Sequence, residues 1–421
     1  MGQAVKTIDR SWSITRSVYM WTNILNTPFW AIFNMLPFIL YKDLHATPLQ
    51  VTLIITLKPL VSLFSLYWSA HINKRRDRLL SNMIWARVLG HLPFFFFPFI
   101  DNVWFYIASF GFYMTLARGV VPAWMEILKL NIPEISREKV FAAGSLMGYI
   151  GNAIFPFLIG WLLDDYFQAW RWLFPIAACI SLAAAFFKAK IPIPADVSID
   201  LSNEVPQSWQ QQLTAPWKNA WDLLCRRPDF LKFQWGFMLG GAGVMIMQPA
   251  LPQFFVDGLQ LSYMEMSVAL TFCKGIGFAL TTPVWARYLH KIDIFRFSAL
   301  PPLCLCLFSV CLLSAQTSIF WLYAAYICYG VMQAGSEMCW HLSGPIFSKK
   351  EDSSTFSSVN VLTVGLRGCI VPPLGSLIAY SISSPFVIAV GGVLCLLSNL
   401  RLYSYSPKRG IQDSDPLNRS T

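Results

Sequence analysis

Five cations lie inside long apolar stretches of this chain: Lys58, Arg87, Arg118, Lys274 and Arg367. A charge at the centre of a membrane-spanning helix costs about 2.5–3.5 kcal/mol on insertion scales, so each needs a partner or a wet cavity. Glu337 is the one carboxylate well inside such a stretch, and Glu126 sits at the end of another. A desolvated Glu holds its proton more tightly, so Glu337 is a candidate for coupling a proton to movement of a solute. Lys58 and Lys274 fall near the middle of their stretches, 216 residues apart. Cations facing a shared cavity would attract an anionic solute, and Lys58, Lys274, Arg118 and Arg367 are the candidate substrate-binding residues. The competing reading is structural: each cation snorkels or pairs with a carbonyl or with Glu337. Arg87 is close enough to a helix end for snorkelling.

No soluble catalytic set accompanies these residues. The chain has no Gly-rich loop closing on Lys-Ser/Thr, no H-E-x-x-H and no G-x-S-x-G. The sequence therefore points to no enzyme, no cofactor and no metal site. Ten Cys, most of them inside apolar runs, read as small buried apolar residues.

Which elements would position the charges? The 421 residues are 55% apolar and 13% charged. Soluble chains carry about 25% charged residues, so lipid is the expected solvent. Apolar stretches of spanning length occur near 19–41, 50–70, 81–100, 103–125, 140–163 and 170–188, then near 232–255, 263–285, 293–314, 318–341, 355–379 and 384–403. The expected fold class is an all-α membrane protein of about twelve transmembrane helices in two six-helix bundles. Its parts are a first bundle (1–190), a linker (191–230), a second bundle (231–405) and a tail (406–421). With both termini inside, Lys and Arg number 25 in the inside segments and 2 outside, a strong positive-inside pattern. The same pattern accounts for the net charge of +10 without nucleic acid. Basic inside loops can also meet anionic lipid. Pro216, Trp217, Trp221 and Leu224 suggest a short amphipathic helix on the inner face, starting at the proline. The run Pro93–Pro98, with four Phe, is expected to face lipid.

The halves repeat. Trp68 and Trp285, and Gly148, Gly151 and Pro156 against Gly365, Gly368 and Pro373, stand 217 residues apart. Leu36-Pro37 and Leu251-Pro252 stand 215 apart. Parallel six-helix repeats suit alternating access, and the glycines and prolines read as helix-packing positions.

Three stretches carry a family resemblance. They are Tyr67 to Arg76 between spans 2 and 3, Arg118-Gly119-Val120-Val121-Pro122-Ala123 in span 4, and Gly144, Gly148, Gly151, Pro156 and Gly160 in span 5. In this order the chain resembles the major facilitator superfamily over about residues 10–405. The resemblance implies a secondary transporter, a gating loop containing Arg75 and Arg76, and a substrate or coupling role for Arg118. The family's loop usually opens with Gly and contains Asp. Tyr67 and His71 stand there, so the latch attributed to that Asp is not carried over. Spans 1 and 7 lack the Arg residues of organophosphate exchangers, and that subgroup is not inferred.

The expected function is secondary active transport of a small organic solute, tilted toward an anion, with a proton as coupling ion. The alternative is a transporter-like fold serving as an assembly or lipid-handling factor. A monomer in a bacterial inner membrane is expected, since the only N-x-S/T site, Asn418-Arg419-Ser420, lies in the inside tail.

Overall fold

The computed structural model describes residues 2–74, 78–120, 123–124, 127, 131–132, 140, 148, 151, 154–192, 209–289, 291–348 and 353–406. Arg75, Arg76, Glu126 and Gly144 lie outside them. Among the described residues the chain is helical and has no strand. We number the helices α1 (Gly2–Leu44), α2 (Pro48–Lys74), α3 (Leu79–His91), α4 (Val103–Gly119), α5 (154–165), α6 (Trp170–Lys188), α7 (Trp209–Arg226), α8 (Pro228–Gly258), α9 (Tyr263–Leu289), α10 (Ile294–Ser314), α11 (Ile319–Ser348), α12 (Ser353–Ser381) and α13 (Ser384–Tyr405).

Among the described residues, seven stretches are long and apolar enough to cross a membrane: Ser11–Leu44, Trp170–Lys188, Pro228–Gly258, Tyr263–Leu289, Ile294–Ser314, Thr355–Ser381 and Ser384–Tyr405. Many of their apolar side chains point outward, among them Leu280, Leu377, Phe186 and Val310. That surface is what lipid would cover.

Short polar residues start the helices. Asn102 accepts from the Trp104 amide at 2.8 Å at the head of α4, and Asp293 accepts from the amides of Phe295 and Arg296 at the head of α10. Ser262 and Glu265 form a reciprocal capping box at the head of α9. π-helical turns interrupt α8 at Phe254–Gly258 and α9 at Val268–Cys273. The second one delivers Lys274 at its exit, and such bulges often lie at functional places.

In the first half of the sequence, α1 packs on α6, α2 on α4, and α3 on both α4 and α6. In the second half, α10 packs on α11 and α13, α8 on α12 and α13, and α9 on α11. The broadest contact between halves is α2 on α12. There Gly368 lies so near Pro59 that an added Cβ would sit 2.1 Å from a proline carbon, and Gly365 lies equally close to Leu63. Only hydrogen fits at these two positions, which is how α2 and α12 reach contact distance.

Three local expectations need correction. The linker helix begins at Trp209, not at Pro216, which lies inside it. Its buried face is Ala220 and Leu223, against Phe230, Phe347 and Phe356, while Trp217 and Trp221 face outward. The spacing of 213, 217, 220 and 224 continues the amphipathic pattern upstream of the proline. Secondly, Phe94 and Phe97 do not face lipid; both are fully buried, whereas Phe96 is exposed. A 3-10 turn over Leu92–Phe96 sets residues three apart on one side, turning 94 and 97 inward together. Thirdly, Cys179 and Cys225 are exposed, unlike the buried Cys273, Cys311, Cys339 and Cys395.

Candidate functional site

α2 carries Lys58 to the seam with α12, one residue before the Pro59 that touches Gly368. The Lys58 side chain nevertheless stays exposed. Its charge is repelled by two others, Arg118 in the last turn of α4 and Lys274 at the exit of the π-turn in α9. The sequence separates these residues by up to 216 positions, and the fold collects them from both halves. Lys274 in turn feels the attraction of Glu337 on α11. The Glu337 carboxylate accepts a hydrogen bond from Gln333 Nε2 at 3.2 Å, one helical turn earlier. Among the described residues, no group of three or more His, Cys, Asp or Glu could hold a metal ion.

Within the second half lies a cavity of about 300 Å³ bounded by α8, α10, α11 and α12. Glu337, Gln333 and Gln248 border it, with Phe237, Tyr329 and Trp340 among its walls. Arg367 also borders it and is buried. Its guanidinium Nη1 donates to the carbonyls of Phe237 and Met238 at 3.0 and 3.2 Å, and Nε lies 3.4 Å from Met245 Sδ. Gly241 makes this possible: a Cβ there would fall 1.8 Å from Nη1. Arg367 thus reaches the cavity by running across the bare backbone of α8.

Arg87, expected to snorkel, turns inward. Its Nη2 donates to Asn26 Oδ1 at 2.7 Å and to Ser181 Oγ at 2.9 Å, and its Nε to the Ser181 carbonyl at 2.9 Å. Three bonds from α1 and α6 satisfy it, which explains why it need not reach water.

At the end of the molecule carrying the 45–47, 166–169, 259–262 and 382–383 turns, polar bonds tie the halves together. Asp43 accepts from Tyr263 Oη at 2.6 Å and from Trp170 Nε1 at 2.8 Å. Asp164 accepts from the backbone amides of Tyr263 and Met264 at 2.8 Å each, capping α9 from the other half. Tyr41 donates to Asp257, and Lys42 Nζ to the Leu261 carbonyl at 3.1 Å. At the opposite end Tyr67 Oη donates to the Leu213 carbonyl and accepts from Trp217 Nε1, both at 3.1 Å. The residue that departs from the family's loop motif is therefore the one that clasps α7 to α2.

The packing glycines divide. Gly365 and Gly368 face α2, and Gly151 faces Thr27 on α1, whereas a Cβ on Gly148 would meet nothing within 4 Å. Pro156 is buried and Pro373 exposed.

The family profile of the Major Facilitator Superfamily matches residues 20–370. The chain belongs to that superfamily. Solved structures of the same fold include a single-site mutant of the nucleoside transporter NupG, with a TM-score of 0.73 at 13% identity, covering 93% of this chain and 99% of that one. A POT family transporter in complex with 5-aminolevulinic acid gives a TM-score of 0.73 at 12% identity, covering 94% and 96%. The D-xylose-proton symporter gives 0.65 at 12% identity, covering 94% and 98%. No curated protein matches the sequence. At these identities the structural likeness speaks for the superfamily fold alone.

Proposed function

We propose that this member of the major facilitator superfamily is a secondary active transporter for a small organic anion. Twelve spans in two bundles, 1–190 and 231–405, would rock about a central site, with the basic loops, both termini and the 191–230 linker in the cytosol of a bacterial inner membrane. What supports the reading is that the charges of Arg118 and Lys274, one from each half, both bear on Lys58, which is exposed at the seam of α2 with α12. Three like charges held together repel, and an anion bound among them relieves that repulsion. Because the cluster draws on both halves, its occupancy depends on how the halves sit, as alternating access requires.

Glu337 serves as the coupling acid. It attracts Lys274 and borders the cavity, so proton uptake on Glu337 would release Lys274 for the solute. Arg367 lines the deeper wall. Arg75 and Arg76 act in the gating loop, and the glycine and proline positions act in helix packing. The bonds among Asp43, Asp164, Tyr263, Tyr41 and Asp257 hold the end bearing the 259–262 turn shut. Solute would then reach the cluster from the basic end, beside which a monomer meets anionic lipid.

The test is uptake by proteoliposomes of a panel of organic anions, with Lys58→Ala and Lys274→Ala beside the unmodified protein. Uptake should fall at least about 10-fold in each variant, the equivalent of one lost charge contact, and Glu337→Gln should abolish its stimulation by a proton gradient. Anion uptake indifferent to both lysine changes refutes the reading.

A further inference from the structure

The repeat shows why α8 borders a cavity where α1 packs among aromatic rings. At the 215-residue spacing shown by Leu36-Pro37 and Leu251-Pro252, the α1 residues Asn26, Phe29, Trp30 and Phe33 correspond to Gly241, Val244, Met245 and Gln248 of α8. All four α8 residues line the cavity. Their α1 counterparts fill the same space in the first half. Phe29 and Phe33 are fully buried, Phe33 stacks on Phe110 at 4.4 Å between ring centres, and Trp30 packs edge-on to Phe33 at 5.3 Å. Three large aromatics have been exchanged for a valine, a methionine and a glutamine. Protein interiors are close-packed, so a void of this size lined by smaller residues invites an occupant.

The walls say what kind of occupant. Val244, Met245, Leu305, Met332 and Val364 present an apolar surface, with aromatic rings at Phe237 and Trp340. Side-chain donors and acceptors are interspersed, from Arg367, Glu337, Gln248, Gln333, Ser298 and Ser336, but apolar surface makes up most of the wall. A single ring or a branched aliphatic group would cover that surface. The volume, about 300 Å³, lies at the small end for ligand pockets and suits one ring rather than a fused system. Glu337 borders the cavity, and its carboxylate attracts Lys274.

We infer that the cavity seats the apolar body of the solute, and that the solute class is an organic monoanion with an aromatic or branched aliphatic body. The anionic group lies at Lys58, Arg118 and Lys274, and an acceptor on the body faces the Arg367 guanidinium. This rests on the lysine cluster being the anion's seat.

The experiment is calorimetric titration of the full chain in detergent with four probes: phenylpyruvate, 4-methyl-2-oxopentanoate, glucose 6-phosphate and inorganic phosphate. The first two should bind at least about 10-fold more tightly than the last two. Val244→Phe and, separately, Gln248→Phe place the first-half type of side chain into the cavity. Each should weaken the two apolar anions at least about 10-fold, in protein whose melting temperature matches the unmodified chain. If the phosphates bind as tightly as the apolar anions and lose affinity in Lys58→Ala, the body pocket is wrong and the lysine reading stands. If the apolar anions bind and respond to the cavity-filling changes but not to Lys58→Ala or Lys274→Ala, the lysine reading fails and the pocket survives. Binding of no probe overturns both.

Discussion

The described helices of the two halves of the sequence fill their interiors differently. In the first half, Phe29 touches Phe33, Phe94, Tyr113 and His91 with ring centres 4.5–5.6 Å apart, and Phe97 and Phe174 extend the stack. The half-buried Arg87 there is bonded by side-chain and backbone oxygens on two helices. In the second half, α8 offers Gly240, Gly241 and Val244 to a cavity, and its buried cation, Arg367, leans on backbone carbonyls alone for oxygen partners. A filled half supplies a stiff frame, and an open half supplies room for a ligand. Close packing resists deformation, so the aromatic-filled half is expected to be the stiffer of the two.

The sharpest way to break this comparison is to open the filled half. Phe29→Ala should cost about 3–5 kcal/mol, read as a large fall in melting temperature in detergent, because the ring is fully buried among other rings. Val244→Ala, at the corresponding place, should cost much less, since that side chain already borders empty space. Equal losses would remove the distinction between frame and pocket.

Next in size is the cradle of Arg367. Gly241→Ala places a methyl where the guanidinium Nη1 lies and must expel it from the Phe237 and Met238 carbonyls. Losing charged hydrogen bonds of this kind costs about 1.5–3 kcal/mol. The double variant Gly241→Ala with Arg367→Leu should recover most of the loss, and failure to recover would show that the methyl clashes with something other than the arginine. Asn26→Ala, its first-half counterpart, should cost less, because Ser181 keeps two bonds to Arg87.

How much of this could be read from the chain itself? The apolar stretches announced membrane-spanning helices, because lipid forces every backbone group into a helix of fixed length, and the motif stretches in spans 2 to 5 carried the resemblance to the superfamily. The cations were legible one by one for the same reason: each is expensive where it stands. Their partners were not. Nothing in the type or spacing of Ser181 marks it as the acceptor for Arg87, since the contact is made across two helices. The cavity was half legible. The substitution of Gly241, Val244 and Gln248 for Asn26, Phe29 and Phe33 is in the sequence, but only the packing shows that neighbouring helices do not collapse to fill the gap. Phe94 and Phe97 misled because a 3-10 turn, not an α-helix, sets their direction.

The halves also differ in what they lend the seam. The first half contributes Asp43 and Asp164, and the second contributes the α9 terminus and Tyr263 that they grip. Asp164→Asn keeps one acceptor and loses the charge that favours a helix start. We expect a shift of about 0.5–2 kcal/mol toward separation at this end. Spin labels at His45→Cys and Ile382→Cys in a cysteine-depleted chain should show a longer-distance population that grows in the variant. An unchanged distance distribution would mean that the cap stabilises α9 without holding the halves together.

The smallest effect belongs to the opposite end, where α7 is tied to α2 by Tyr67 alone among the described hydroxyls. Tyr67→Phe deletes both the bond to the Leu213 carbonyl and the one from Trp217 Nε1. Both are exposed, so together they contribute about 1 kcal/mol, close to a fivefold change in local opening. Hydrogen exchange of the α7 amides should accelerate by about that factor, while the amides of α8 stay as they are. The buried contacts of Ala220 and Leu223 belong to the second half and survive the change. α7 would then stay with the second half while its polar tie to α2 loosens, so the hydroxyl of Tyr67 couples the linker to the first half beside the apolar contact of Leu63 with the same cluster. Acceleration that extends into residues 228–237 would instead show that α7 and α8 loosen as one piece.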